Sequence, residues 1–191
     1  MDQQLQWWIE KIRRGDKDAF EKLFLRFYEP LCNFAWTYVR SSHISEELVQ
    51  DAFLAVWESR ESLDKEKNIK TYLFQVVRNK SLNHLKHQEV AREHNKHIEW
   101  LNSAPISQIH DFDEESEFIK AARQAIEDLP ERAWQIYTMN RKDGLTYREI
   151  AEVLDISPRT VESQMSRALK QLRQSLSKYF SEDSTLFLRE N

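Results

Sequence analysis

LTYREIAEVLDISPRTVESQMSRALKQLR, residues 145–173, is the stretch on which the fold turns, because it spells two short helices held apart by a tight turn. Thr146 and Glu149 form a capping box, in which hydroxyl and carboxylate each satisfy a backbone N–H that the first helical turn leaves unpaired. Ile150, Ala151 and Leu154 follow at helical spacing as an apolar face. Ser157 and Pro158 read as the N-cap and first helical position of a second helix. Only Asp155 and Ile156 remain for the turn, which predicts a left-handed or otherwise strained backbone at Asp155. In the second helix Val161, Met165, Ala168 and Leu172 fall at i, i+4, i+7 and i+11, one buried stripe.

The other face of that helix carries Arg159, Thr160, Glu162, Ser163, Gln164, Ser166, Arg167 and Lys170. Such donors and acceptors reach base edges and phosphates when a helix enters a major groove. The pattern is that of a helix-turn-helix. An ordinary helical hairpin with a solvated face is the alternative, and the capped, short turn weighs against it. Residues 157–178 hold five basic side chains (Arg159, Arg167, Lys170, Arg173, Lys178) against Glu162, a local +4 in a chain whose total is -4.

With 191 residues, only 2 Gly and 4 Pro, and no clear apolar/polar alternation, the chain lacks the punctuation that sheets and hairpins need. Two small all-α domains fit better than one large one. Cys32 is the only cysteine, no apolar run approaches membrane-spanning length, and the amino terminus shows no signal-peptide pattern. A cytoplasmic protein without membrane insertion is therefore expected. The overall negative charge suits unaided DNA binding poorly, because phosphate neutralisation by Lys and Arg supplies essentially all non-specific affinity. That implies a protein partner.

From the amino terminus, Leu5, Trp8, Ile9 and Ile12 make an amphipathic helix that Gly15 ends, and Asp16 or Asp18 caps the next. Phe20, Leu23, Phe24 and Phe27 continue at helical spacing to Pro30, a predicted kink or break, after which Leu31, Phe34, Ala35 and Tyr38 resume it. These aromatics read as core. Ser45 is the expected cap of a third helix, with Glu46 and Glu47 in its first turn and Val49, Ala52, Phe53 and Val56 inward. Glu47, Gln50, Asp51 and Glu58 form an acidic surface, either simply solvated or a dock for a basic partner helix. In IKTYLFQVVRNKSLNHLK, residues 69–86, Ile69, Leu73, Val76 and Val77 are the expected buried set. The remaining face interleaves Lys70, Tyr72, Arg78, Asn79, Lys80 and Lys86, a mixture suited to single-stranded DNA and equally compatible with a half-buried helix.

The polar stretch after this, with the acidic run Asp111, Asp113, Glu114, Glu115 and Glu117, reads as a flexible linker. The expected organisation is a first domain over 1–90, a linker over 91–116, a second domain over 117–180 and a tail over 181–191. Within the second domain Ala133, Ile136 and Tyr137 face inward on a helix that restarts at Leu129-Pro130-Glu131 and ends at Gly144. His84, His87, His94 and His97 make two i, i+3 pairs, but no cysteine or H-E-x-x-H motif completes a site, so neither a metal nor another cofactor is expected.

GDKDAFEKLFLRFYEPL, EELVQDAFLAVWE and TYLFQVVRNKSLNHLK, within residues 15–86, resemble region 2 of the extracytoplasmic-function (ECF) RNA polymerase sigma factors. Residues 117–176 resemble region 4 of the same family, through the stretch from LPERAWQIYTMNRKDG to ALKQLR. Two blocks in the right order with a linker between them make the resemblance specific. It implies a non-enzymatic subunit that binds core RNA polymerase, directs it to promoter DNA through -10 and -35 elements and assists strand opening. It allows an anti-sigma factor as a further partner. By residue, it implies polymerase contacts at Gln50, Asp51 and Glu58 and a -10 contact at Asn79; Glu47 on the same acidic surface, and Tyr72, Arg78 and Lys80 on the mixed face, join them as candidates. The -35 contacts it implies are Thr160, Glu162, Ser163 and Arg167, with Arg148 near a phosphate, and Arg159, Gln164, Ser166 and Lys170 on the same polar face complete the candidate set.

The chain departs from the family pattern at two positions. Asp155 holds a turn position where many members have glycine, and Glu162 stands where a basic residue is frequent. A carboxylate at such a position can accept from a cytosine amino group. A free-standing helix-turn-helix regulator is the alternative function, and the net charge of -4 weighs against it. A metal-dependent enzyme built on the histidines is a third reading, lacking a supporting carboxylate motif.

Overall fold

A computed structural model describes residues 3–64, 68–94 and 117–179, and every regular element among them is helical. In order these are α1 Gln3–Arg13, α2 Lys17–Val39, α3 Ser42–Glu58, α4 Ile69–His94, α5 Glu117–Glu127, α6 Glu131–Arg141, α7 Tyr147–Leu154 and α8 Pro158–Ser175. Short 3-10 turns cover Arg60–Ser62 and Ser177–Tyr179. The chain divides into two compact units, one carrying α1–α4 and the other α5, α6 and α8 with most of α7. The expected linker beyond His94, including His97, and the tail 181–191 lie outside the described residues.

In the first unit Leu5, Trp8, Ile9 and Ile12 are all buried, as their spacing predicts, and α1 packs on α2. Gly15 takes φ +83°, a left-handed value open to glycine without steric cost, and its N–H donates to Ile12 O at 2.8 Å. The side chain of Asp16 then accepts from Ala19 N at 3.0 Å and caps α2.

Three local expectations are corrected here, each for a tertiary reason. Of the kink or break expected at Pro30, the break does not occur, since α2 runs from Lys17 to Val39. Burial of Phe27, Leu31, Cys32 and Phe34 around the proline offsets the lost backbone hydrogen bond. Ser45 is not the cap of α3. The helix starts a turn earlier, with Ser41 as N-cap accepting from Ile44 N at 3.4 Å. Ser45 is fully buried, donating its hydroxyl to Ser41 O at 2.7 Å, and Glu46 and Glu47 thus stand beyond the first turn. On α4, Ile69, Leu73 and Val77 are buried as expected, but Val76 is only half-buried, and Thr71 and Phe74 are buried in addition.

Cys32 lies at the centre of this unit with no exposed surface, and desolvation pushes its thiol up to about 12 from an ordinary value of 9.0. Because the folded state resists ionisation more than the unfolded chain, its contribution to stability is full below pH 9.0 and is lost as pH rises toward 12. The expected outcome is alkaline destabilisation over that window which Cys32→Ala or Cys32→Ser removes, measured by chemical denaturation at several pH values. Identical pH dependence in the wild type and both variants would count against the buried, protonated thiol.

In the second unit Ala125, Leu129, Ala133, Ala168 and Leu172 form a core cluster, with Ile126, Trp134, Tyr137 and Leu176 packed at its edge. This seats α8 on α5 and α6, and Gln171 Nε2 adds a hydrogen bond to Asp128 O at 3.0 Å. α6 ends at Arg141, ahead of Gly144, which lies in the following loop at φ +66°. Asn140 Nδ2 spans that loop to Leu145 O at 2.8 Å.

The turn between α7 and α8 follows the local reading closely. Thr146 N donates to Glu149 Oε2 at 2.7 Å and Glu149 N to Thr146 Oγ1 at 3.3 Å, the reciprocal box. Asp155 takes φ +55°, and Ile156 N reaches back to Ala151 O at 3.0 Å, closing α7 with a left-handed cap. Ser157 Oγ accepts from Thr160 N at 3.1 Å and starts α8. Asp155 is exposed and occupies a backbone conformation that glycine adopts more readily. Asp155→Gly is therefore expected to be neutral or to stabilise by up to about 1 kcal/mol. A lower melting temperature for that variant would contradict this account of the turn.

Candidate nucleic-acid and partner interfaces

α8 buries Val161, Met165, Ala168 and Leu172 and turns its other side to solvent. A shallow groove of about 480 Å³ runs along that side, lined by Arg159, Glu162, Ser163, Ser166, Arg167 and Lys170. Six of the eight predicted α8 residues are thereby brought together. Thr160 is not among them, because its hydroxyl lies 2.8 Å from Ser157 Oγ in the cap, and half-buried Gln164 also falls outside the groove. Arg148 is exposed in the first turn of α7 and does not line the groove. Three cations and three hydrogen-bonding acceptors on one rigid helix can hold phosphates and read base edges together.

α4 sorts its predicted residues onto different sides. Tyr72 and Asn79, seven residues apart and both exposed, share one face, which exposed Asn83 and Lys86 continue. Successive helical residues turn by about 100°, so Arg78 stands roughly 120° to one side of Tyr72 and Lys80 roughly 80° to the other. Both are half-buried. Lys80 Nζ is 3.9 Å from Asp51 Oδ2 of α3, so a residue expected to meet DNA pairs with one expected to meet a partner protein.

On α3, Glu47, Gln50, Asp51 and Glu58 are all exposed and fall at i, i+3, i+4 and i+11, one continuous face. Glu47 Oε1 is 3.3 Å from His43 Nε2, and the side chain of Gln50 is hydrogen-bonded to Tyr28. Burial raises the Tyr28 phenol, an effect the Gln50 bond partly counters. Beside the acidic face lies an apolar recess of about 380 Å³ between α2 and α3, lined by Lys17, Phe20, Phe24, Gln50, Phe53, Leu54 and Trp57. Its walls are aromatic: Phe20 and Trp57 lie 4.9 Å apart between centroids, and Phe24 and Phe53 4.8 Å. Leu54 is 55% exposed at the rim. Periodicity assigned Phe20 and Phe24 to the core, whereas both are half-buried. The available signal was Leu54, which sits at i+4 from Gln50 on the otherwise polar face of α3.

Of the histidines, His84 Nε2 is 2.9 Å from Gln88 Nε2 on α4. Among the described residues no group of three or more His, Cys, Asp or Glu is placed to hold a metal, and no helix is long and apolar enough to cross a membrane.

Against known families, Sigma-70 region 2 matches residues 23–90 and Sigma-70, region 4 matches residues 119–172. The chain is 29% identical over 169 residues to an ECF RNA polymerase sigma-E factor of Haemophilus influenzae, covering 84% of this chain and 88% of that one. It is 25% identical over 188 residues to the RNA polymerase sigma-H factor of Pseudomonas aeruginosa, covering 92% and 93%. Among solved structures the fold is similar to the sigma factor RpoE in complex with the anti-sigma factor NepR from Bartonella quintana, at TM-score 0.62 and 21% identity, covering 83% and 96%. A second likeness is to CnrH in complex with the cytosolic domain of CnrY, at TM-score 0.56 and 19% identity, covering 93% and 99%.

Proposed function

The chain belongs to the ECF group of sigma-70 RNA polymerase sigma factors, and from that membership we propose how its residues divide the work. As a sigma factor it binds core RNA polymerase, directs it to promoters through -10 and -35 recognition and assists DNA opening. Chemistry stays with the polymerase, so the chain needs no catalytic residue or cofactor of its own. Residues 1–90 serve polymerase binding and the -10 element, 91–116 link, 117–180 serve the -35 element, and 181–191 form a tail. The protein works in the cytoplasm.

The observation that carries the assignment within the second domain is the α8 groove, where Arg159, Arg167 and Lys170 hold phosphates beside base-reading Ser163, Ser166 and Glu162. Arg148 adds a backbone contact, and Thr160 and Gln164 bound the contact surface. In the first domain the α3 face of Glu47, Gln50, Asp51 and Glu58 docks a basic coiled coil of the polymerase, and the adjoining apolar recess receives one of its side chains. Tyr72 and Asn79 offer a ring and an amide on one face for unstacked bases, while Arg78 and Lys80 hold flanking phosphates. An anti-sigma factor is a further partner, in keeping with the one named for the structurally similar RpoE.

Two variants test this division in complexes with core polymerase. Arg167→Ala is expected to weaken protection of the -35 element by roughly tenfold. Asn79→Ala is expected to impair strand opening, read by permanganate reactivity, with little change at -35. If both variants lowered both readouts equally, the assignment of separate tasks to α4 and α8 would be wrong.

A further inference from the structure

The α8 groove contains one carboxylate among its cations, and no hydrogen bond or ion pair among the described residues accounts for it. Glu162 is exposed, between Arg159 one turn earlier and Ser166 one turn later. Among the described residues its carboxylate accepts no hydrogen bond and forms no ion pair with Arg159 or any other cation. It does not cap the helix either, since Ser157 Oγ takes the Thr160 N–H.

We propose that Glu162 is the residue through which α8 demands cytosine at one position of the element it reads. The inference rests on α8 being the helix that enters the major groove. Glu162 is the fifth residue of α8, in the part of a recognition helix whose side chains contact base edges. A carboxylate cannot serve as a backbone contact, because phosphates repel it. Facing bases, it has acceptors only and needs a donor. Cytosine presents its N4 amino group. Adenine presents an N6 amino group, but its N7 acceptor opposes the second carboxylate oxygen. Guanine offers O6 and N7, and thymine O4 and a methyl group, so neither edge satisfies the carboxylate. An unsatisfied carboxylate brought against an acceptor edge loses its water without compensation, which turns Glu162 into a filter against the other three bases.

The test is selection of duplexes randomised across both promoter elements by the full-length protein assembled with core polymerase, comparing wild type, Glu162→Gln and Glu162→Ala. At one upstream position the wild type is expected to favour cytosine over each other base by about tenfold. Glu162→Gln shifts that position toward adenine, because an amide supplies both the acceptor for N6 and the donor for N7. Glu162→Ala flattens it and leaves the other positions standing. Both variants bind unselected DNA more tightly than wild type, having lost a negative charge, whereas a purely structural role would weaken every position together. If both variants kept the wild-type profile while Arg167→Ala still depleted the upstream element, the Glu162 assignment would fail and the α8 reading would survive. If the wild type itself enriched no upstream element, both would fail.

Discussion

At physiological salt the isolated protein is expected to hold promoter DNA only weakly, whereas adding core polymerase produces specific binding and strand opening. The exposed cations of α8 that face one way are Arg159, Arg167 and Lys170, and Glu162 stands among them. With Arg148, about four phosphates can be neutralised, for a salt slope near -4 and a loss of roughly a hundredfold in affinity between ~50 and ~200 mM salt. The first unit adds little positive charge, since residues 1–86 hold 14 Lys and Arg against 13 Asp and Glu. One of those lysines, Lys80, is already paired with Asp51. On this expectation, sequence reading by α8 would depend on a larger assembly to supply backbone affinity. Anisotropy titration of a promoter duplex at ~150 mM salt, with and without core polymerase, decides the matter. Nanomolar, sequence-specific binding by the protein alone would point instead to a free-standing regulator.

The largest stability effect is expected at Phe74. Its side chain has no exposed surface and meets Phe34 edge to face at 5.1 Å. Phe74→Ala removes that ring from a packed interior and leaves a cavity, at a cost of about 3–5 kcal/mol. Against a total stability of roughly 5–15 kcal/mol for a domain of ordinary size, this is a large share, and polymerase binding through α3 should fall with it. Tyr72, two residues away on the same helix and 37% exposed, supplies the contrast. Tyr72→Ala is expected to cost under about 1 kcal/mol while affecting the -10 element. Urea denaturation of both variants measures the difference. Equal midpoints for the two would mean that Phe74 does not carry the core of the first unit.

What the sequence by itself determined lies within one or two helical turns. The buried stripes of α1 and α8 were legible, as were the Thr146–Glu149 box, the Ser157 cap and the left-handed Asp155. Each of these is a hydrogen bond or a spacing between residues three to five apart, which backbone geometry enforces wherever the helix sits. The polar face of α8 was legible for the same reason, since a helix that buries one stripe must expose the opposite one.

Only the tertiary structure decided the rest. The sequence pointed to Ser45 as the cap of α3, but Ser45 is buried and Ser41 holds that role. Pro30 stays inside α2 because packed side chains on both sides of it outweigh a local penalty that sequence alone makes visible. Phe20 and Phe24 lie on the same spacing as Leu23 and Phe27, yet line the walls of a recess, because where α3 crosses α2 determines which aromatics are covered. The four residues expected to meet the -10 element, which the sequence assigned to one mixed face, diverge around α4, and Lys80 lies beside Asp51. A period of 3.6 fixes the angle between two side chains on one helix, but which angle points inward is set by the neighbouring helix, whose position is a property of the whole packed unit.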